Sequence, residues 1–560
     1  MQADYLNEPF YELNESDEAI IVKPIREKRH WATRYSVVFI SCVLAGMPLF
    51  FGGKSDVAIT AFKQGVFVLG AVISIYFLFK GEGEVFLVSL GRVGKKAFLF
   101  SAAFVSLVLF QIAPLPQGIV SFLSKAGHEM YRSAEVLGFY RISVEVYTSI
   151  AQLSWTVAVL IFGLWIVALP REDINTSISH HHHRRSKNVK SERYERARKI
   201  DYVVDVLQRA IIFSGFSCSL IAIVHLVMDE ADLFGMFERP NVGVGGNRAH
   251  WPFPNPNHLA VLLEVAVITA FSRLLRTSYL SSMKLKFSRD RQLLMTFIRN
   301  PDKLRYHIGQ FFVIFVMMLA AVLSLSRMGI SLLMLGLLVV WKSYEGHRQN
   351  GGGACELDRD TAVSYVQVLF EKFWKRAKTP LLIFFVGGVI LFFIGQGGRE
   401  LLTKRIEYGL AADRDFLRYE LAKGSLSVFA SFPILGVGLG CWHLAVLRYL
   451  PVELAGWTMD YAHNDYLQVF AETGAIGAII VCGFLLVVFR HSKRALAESR
   501  LVVDRIQLLG STVAVLLPLL HSLVDYPMHI PATAITIVAA LAIHMRLINR
   551  VMEGPKPQSE

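Results

Sequence analysis

Three kinds of side chain in this sequence stand out against an apolar background: a histidine beside a helix start, arginines next to hydrophobic spans, and carboxylates spaced on one helix face. The string Tyr461-Ala462-His463-Asn464-Asp465-Tyr466-Leu467-Gln468 is followed by Glu472-Thr473-Gly474. Asn464 or Asp465 suits a helix cap, and Gln468 follows Asp465 at capping-box spacing. Asp465, Gln468 and Glu472 recur at i, i+3 and i+7 and share one face. In a membrane helix such a face must look at protein, water or substrate. His463 precedes the cap, which places it at the water boundary and free to titrate. Its two readings are a structural histidine and a catalytic one, and its company favours catalysis.

The arginine with the clearest chemistry is Arg327, in the tight turn Leu323-Ser324-Leu325-Ser326-Arg327-Met328-Gly329 between two apolar spans. A cation there either snorkels to the interface or meets an anion. The shortness of the turn, with Ser324, Ser326 and Gly329 leaving room for a phosphate, favours the anion. A second polar group is Asn255-Pro256-Asn257-His258, where Asn257 suits the cap of the next helix. Asn255 and His258 either just start that helix or shape a site from one side. A third is His521-Ser522-Leu523-Val524-Asp525, whose His521 and Asp525 are four apart and face one way. They either end a helix or brace the site by hydrogen bonding.

The elements that must position these groups are membrane helices. The chain has 560 residues, 53% hydrophobic and only 18% charged, too apolar for a soluble protein of this size. About twelve apolar spans centre near 36–52, 61–79, 97–113, 148–169, 210–228, 258–274, 308–325, 328–341, 380–396, 466–489, 507–524 and 530–548. Lys63 is a blemish in the second. The expected fold is an all-α integral membrane protein, a polytopic bundle over 36–548 between a cytoplasmic tail at 1–35 and another at 549–560. With the N-terminus inside, most of the 58 Lys and Arg fall in cytoplasmic segments, including His180–Lys199, Lys284–Arg305 and Arg490–Arg505. The net charge of +13 is therefore a topology signal and implies no nucleic-acid partner. The same topology gathers the polar groups at the outer face, around a large loop at about 398–465.

Other signals exclude chemistry. The five scattered cysteines suggest neither a zinc site nor a disulfide framework. The first 35 residues do not read as a removable signal peptide. Residues 171–205 and the run Gly351-Gly352-Gly353 read as solvated spacers, and His180–His183 as an exposed polar tract rather than a metal site. The glycines of Gly436-Val437-Gly438-Leu439-Gly440 lack the strand-turn-helix context of a dinucleotide loop and read as a turn permitting close packing.

Five strings, in order, resemble the O-antigen ligase-related family, which includes O-antigen ligases, Wzy-type polymerases and bacterial protein O-oligosaccharyltransferases. They are Asn255-Pro256-Asn257-His258-Leu259-Ala260, Ser324-Leu325-Ser326-Arg327, Pro433-Ile434-Leu435-Gly436-Val437-Gly438-Leu439-Gly440, His463-Asn464-Asp465-Tyr466-Leu467-Gln468 and His521-Ser522-Leu523-Val524-Asp525, within about 240–530. The cytoplasmic insertions and Ala422, where members often have tryptophan, depart from the pattern. The resemblance implies a glycosyltransferase without metal or other cofactor. It would move a glycan from undecaprenyl pyrophosphate to lipid A-core, a growing glycan or a protein hydroxyl, at the periplasmic face of the bacterial inner membrane. By position it implies His463 as the catalytic residue and Arg327 and Arg418, with Arg414 as a fallback, as pyrophosphate ligands. Asn255, His258, Asp465, Glu472, His521 and Asp525 would support them. The rival of another class is a polysaccharide export subunit, which would need a continuous polar path through the spans.

Overall fold

The computed structural model describes residues 10–13, 19–22, 31–50, 52, 55–79, 83–136, 138–170, 201–228, 248–286, 301–349, 412–454, 459–499 and 501–553. The run His180–His183, the glycines at 351–353, the span expected at 380–396 and the opening of the large loop lie outside the described residues. A short antiparallel pair, β1 (Phe10–Leu13) and β2 (Ala19–Val22), precedes the helices, where only a tail was expected.

The rest is helical. In chain order the helices are α1 (Trp31–Gly46), α2 (Asp56–Phe79), α3 (Gly83–Ile112), α4 (Gln117–Leu123), α5 (Lys125–Ser133), α6 (Val146–Ala168), α7 (Tyr202–Met228), α8 (Pro256–Lys286), α9 (Pro301–Leu323), α10 (Arg327–Gln349), α11 (Ala412–Ser431), α12 (Asp465–Glu498), α13 (Val502–His521) and α14 (Pro531–Glu553). Among the described residues nine helices are long and apolar enough to cross a membrane: α3, α6, α7, α8, α9, α10, α12, α13 and α14. Thr33–Leu49 is apolar but shorter. In α2 the ammonium of Lys63 lies 3.4 Å from the Ser154 hydroxyl of α6. The architecture is that of an all-α polytopic membrane protein.

Burial separates an inner layer from a rim. The apolar stretches of α8 and α14 are 94% and 89% buried, against 28% for α3, α9, α10 and α12. Helix α8 is the hub: it packs on α7, α9, α10, α13 and α14. Its run Leu259–Ile268 is almost continuously apolar and buried, interrupted only by Glu264, as expected of a helix enclosed on all sides. A separate small core lies beneath α11, where Leu421, Val428 and Phe432 meet Trp442 and Val446.

Helix α12 is broken at Gly474, whose backbone leaves the helical region (φ 63°, ψ −166°). The break frees amides and carbonyls that lipid could not satisfy. The segment 433–438 satisfies them. Ala475 and Ile476 donate to the Pro433 and Ile434 carbonyls at 2.8 and 3.2 Å, and Val437 and Gly438 donate to the Ala471 and Glu472 carbonyls at 3.0 and 3.1 Å. Gln111, at the end of α3, locks the joint by donating to the Leu435 and Glu472 carbonyls at 2.6 and 2.8 Å. A side chain at Gly436 would strike the Glu472 carbonyl, and one at Gly474 would strike that of Ile434. The glycines thus serve close packing.

The starts of α8, α10, α12 and α14 and the ends of α9 and α13 meet at one end of the bundle, which brings the polar strings of the sequence together. At the other end Arg546 of α14 is fully buried. It pairs with Asp201 at 2.6 Å and donates to the last carbonyls of α6, at Ile166 (2.9 Å) and Leu169 (2.6 Å). A positive charge at a helix C-terminus complements the dipole, and its five donors fit several acceptors at once.

Gly474→Ala tests the joint. We expect a loss of about 1–3 kcal/mol from forced overpacking at a left-handed position. Thermal unfolding of the detergent-solubilised protein would read it, and an unchanged midpoint would show that the loop does not fill the break.

Candidate functional site

The start of α12 is fixed by Asn464, whose side-chain oxygen accepts from the Leu467 amide at 3.0 Å while its amide donates to the Leu523 carbonyl at 2.8 Å. Of the two possible caps it is therefore Asn464 that serves. Asp465 turns inward instead, accepting from the Ser522 hydroxyl at 2.8 Å and from the Met528 amide at 3.1 Å, and meeting His529 Nδ1 at 2.6 Å. Gln468 reaches back past the cap to accept from the Ala462 amide at 3.0 Å and donates to Glu472 at 3.1 Å. Glu472 accepts from the Gly440 amide at 2.9 Å. The shared face read from the sequence exists, and what it looks at is protein.

His463 stands just outside that cap with φ 51°, a left-handed conformation that costs a non-glycine residue roughly 1–3 kcal/mol. Its side chain is 31% exposed, and its Nδ1 lies 3.6 Å from Asp525 Oδ1, a side chain only 1% exposed. That distance exceeds a hydrogen bond, but such contacts are often long before substrate arrives. Asp525 is held from other sides as well. The Asn257 amide donates to its Oδ2 at 2.7 Å, the Tyr526 backbone amide donates to Oδ1 at 2.9 Å, and His258 Nε2 is 3.9 Å away. The Tyr526 ring packs edge-to-face with both imidazoles, at 4.8 Å from His463 and 4.9 Å from His258, and stacks on Tyr461 at 4.5 Å.

Three local expectations are corrected. The cap of α8 is Asn255, not Asn257: Asn255 accepts from the Asn257 amide at 2.9 Å, because Pro256 supplies the first helical residue with its φ preset. That frees the Asn257 side chain for Asp525. His521 and Asp525 do not bond through their side chains. They diverge, and His521 Nδ1 instead meets the buried Glu264 of α8 at 2.7 Å. Finally, Ser324, Ser326 and Gly329 leave no room for a phosphate. Both hydroxyls are buried in the bonds of their own turn, accepting from the Ser326 and Gly329 amides at 3.3 Å each, and Gly329 abuts Ala260. What the turn presents is Arg327 itself, exposed at the first residue of α10. Leu325 within the turn is left-handed, with φ 51°.

Arg418 is exposed on α11, close enough to His521 for their charges to interact. The side chain of Arg414 lies outside the described residues.

Residues 312–482 match the family model described as O-antigen ligase. Over this segment the chain is similar to that family. No curated protein matches the chain. The fold and this match together support an O-antigen ligase-like membrane enzyme.

The O-antigen ligase match spans α9 to the middle of α12, and so contains Arg327, Arg418 and His463. The groups that complete the cluster, Asn255–His258 and His521–His529, lie on either side of it in sequence and are delivered by α8 and by the α13–α14 connection. The sequence reading missed Tyr526, His529, Glu264 and Arg248. Tyr526 directly follows Asp525, and Arg248 opens the loop leading to Asn255, but neither stands in a helical pattern that would have marked it.

Electrostatics tighten this end of the bundle. Burial opposes ionisation of Asp525, yet the adjacent His463, the field of His258 and the bond from the Asn257 amide hold its pKa well below the usual carboxylate range. Burial opposes protonation of His529, but the bonded Asp465 and the charge of Glu472 more than offset it and raise its pKa. Burial, then the neighbouring Asp525, pushes the Tyr526 phenol far up. The two shifts act on opposite sides of neutrality. The Asp525 contribution is present above an ordinary carboxylate pKa of about 3.9 and is lost as pH falls through its lower folded value. The His529 contribution is complete below about pH 6.5 and is lost as pH rises through its raised folded value.

We expect the unfolding midpoint of the solubilised protein to fall as the pH rises above about 6.5 and His529 loses its proton. Asp465→Asn removes the bonded carboxylate and should flatten that fall. An undiminished slope in the variant would show that His529 does not carry it.

Proposed function

We propose that the protein transfers a glycan from an undecaprenyl-pyrophosphate carrier to an acceptor hydroxyl, with His463 as general base. The observation that carries this reading is a partly exposed imidazole backed by a buried, ionised carboxylate, beside a turn that presents an arginine. The acceptor O–H gives its proton to neutral His463 while its oxygen bonds to the anomeric carbon. The bond from that carbon to the pyrophosphate oxygen breaks, and the electron pair leaves with the phosphate. Asp525 stabilises the imidazolium that forms and holds the ring with Tyr526. Such a base contributes about 10²–10⁴-fold in rate.

The leaving pyrophosphate gains negative charge. Arg327 and Arg418 present planar forks that match phosphate oxygens and stay charged at any relevant pH, with Arg414 a further candidate on the same helix as Arg418. Arg327 stands at the N-terminus of α10, whose dipole favours an anion. Asn255, His258, Asp465, Glu472 and His521 build the walls that hold these groups and touch no reacting atom in this scheme.

The orientation follows from charge. Arg273, Arg276, Arg490, Lys493, Arg494, Arg546 and Arg550 all lie toward the end of the bundle opposite His463, and the basic end of such a bundle belongs in the cytoplasm. The proposed site then opens to the periplasm of the inner membrane, with both termini cytoplasmic and the polyprenyl tail at the level of the apolar helices. Lipid A-core is the acceptor of the ligase reading. A growing glycan or a protein hydroxyl offers the same alcohol to the same base.

His463→Ala should abolish transfer at normal abundance in the membrane, and near-normal transfer would end the general-base assignment. Arg327→Lys keeps the charge but loses the fork, so activity should drop by roughly tenfold or more. Deletion cells should accumulate lipid-linked glycan and carry uncapped lipopolysaccharide. Loss of chain length alone would mark a polymerase instead.

A further inference from the structure

Arg248 has no place in the scheme above, yet it touches both halves of it. It lies half-buried in the loop before α8. Its Nε donates to the Ser324 carbonyl at 2.7 Å, and a terminal nitrogen stands 3.5 Å from Asn257 Oδ1, the long limit of a hydrogen bond. The next residue reinforces the first contact, since the Ala249 amide donates to the Leu323 carbonyl at 3.1 Å. The loop is therefore laced onto the turn that carries Arg327.

The second contact sets the direction of an amide. Asn257 keeps its oxygen toward the guanidinium and its NH₂ toward Asp525 Oδ2, 2.7 Å away. Reversed, it would aim donors at a cation and an oxygen at a carboxylate. The other oxygen of Asp525 is the one that faces His463, at 3.6 Å. Arg248, Asn257 and Asp525 thus form a chain of contacts from the arginine turn to the imidazole.

Both ends of that path are strained. Leu325, next to the bonded Ser324 carbonyl, and His463 each have φ 51°, and among the described residues Glu135 is the only other non-glycine residue with positive φ. Such conformations persist only where neighbours over-determine them. The Arg248 bond constrains one end and the Asp525 contact the other.

We propose that Arg248 is a positioning residue that couples the arginine turn to the base. It holds the turn in the shape that presents Arg327 to the pyrophosphate, and through Asn257 it holds Asp525 behind His463. The coupling rests on the reading of His463 as base and Arg327 as donor ligand. A forked cation suits the role because it meets two acceptors in fixed directions, which a lysine ammonium does not.

Two readouts on the full-length protein separate the two arms: affinity for undecaprenyl pyrophosphate in nanodiscs, and transfer rate in membrane vesicles on the cell's own lipid-linked glycan. Arg248→Gln should weaken binding and slow transfer, each by about ten- to a hundredfold, as for loss of a charged hydrogen bond. Asn257→Ala should slow transfer and leave binding unchanged. Arg248→Lys should restore binding through the Ser324 carbonyl but leave transfer near the Asn257→Ala rate. The double variant Arg248→Gln/Asn257→Ala should transfer no more slowly than Arg248→Gln alone. The coupling is overturned if Arg248→Gln binds and transfers normally, if Arg248→Lys restores both readouts, or if the losses add. If Arg248→Gln fails to fold, by extracted abundance and size exclusion, Arg248→Lys and Asn257→Ala carry the same decision. His463→Ala in the same vesicles separates the two levels. Normal transfer there removes the base and the coupling with it, whereas silence there beside a normal Arg248→Gln removes the coupling alone.

Discussion

A carboxylate taken out of water is costly unless hydrogen bonds and opposite charge replace its hydration, and Asp525 is almost wholly buried. Everything at this end of the bundle is arranged around meeting that cost. The Asn257 amide comes from α8, the His463 ring from the start of α12, and the Tyr526 amide from the α13–α14 connection. Each partner belongs to a different element, so the carboxylate fixes where three helix ends stand relative to one another. An isolated buried charge would neutralise itself. This one stays ionised because its neighbours are placed before any substrate arrives, and an ionised partner is what a histidine base needs when it takes a proton.

The second constraint comes from the bilayer. A helix that breaks inside a membrane protein must find new partners for its freed backbone groups. Helix α12 breaks at Gly474 and finds them in 433–438, with Gln111 of α3 as a third party. The break and the loop are thus one joint, and it holds α11 and its small core against the start of α12. Since α11 carries Arg418 and α12 begins beside His463, the joint sets the separation of a proposed phosphate ligand from the proposed base. Backbone satisfaction, rather than side-chain packing alone, connects the loop to the chemistry.

Much of this was legible in the sequence, for identifiable reasons. Long apolar runs mark membrane helices whatever they pack against. His463, Arg327 and Asp525 were legible because a titratable group at a helix end in an apolar chain has few structural reasons to be there. The i, i+3, i+7 face of α12 was legible because helical spacing decides it, but what Asp465 and Glu472 meet depends on 522–529 and on Gly440, both more than twenty residues away in the chain. Pairings across long separations were hidden for the same reason. His521 looked like the partner of Asp525, four residues on, when its partner is Glu264 on another helix. The cap of α8 lies two residues before Asn257 because Pro256 is the first residue of the helix. Arg248 was invisible because its role is set by a turn some seventy-five residues later.

An export role would draw on the polar groups that α8 carries below the site. Glu264 and His521 lie deeper than Asp525, and Thr269, Ser272, Arg273 and Arg276 follow toward the other end. A carrier, however, needs its interrupted helix to offer unwound backbone to the cargo. At Gly474 the freed amides and carbonyls are already bonded to 433–438, so the interruption has nothing to offer. Glu264 is bonded to His521, the Thr269 and Ser272 hydroxyls donate to the Val265 and Ile268 carbonyls of their own helix, and Arg273 is tied to Asp205 at 2.8 Å. Glu264 and Arg273 stitch helices together, and the two hydroxyls are spent within α8. The groups with their chemistry still directed outward, His463 and the exposed Arg327 and Arg418, belong to loops and helix ends at one end of the bundle. That distribution is what a surface-opening transferase requires and what a through-path does not.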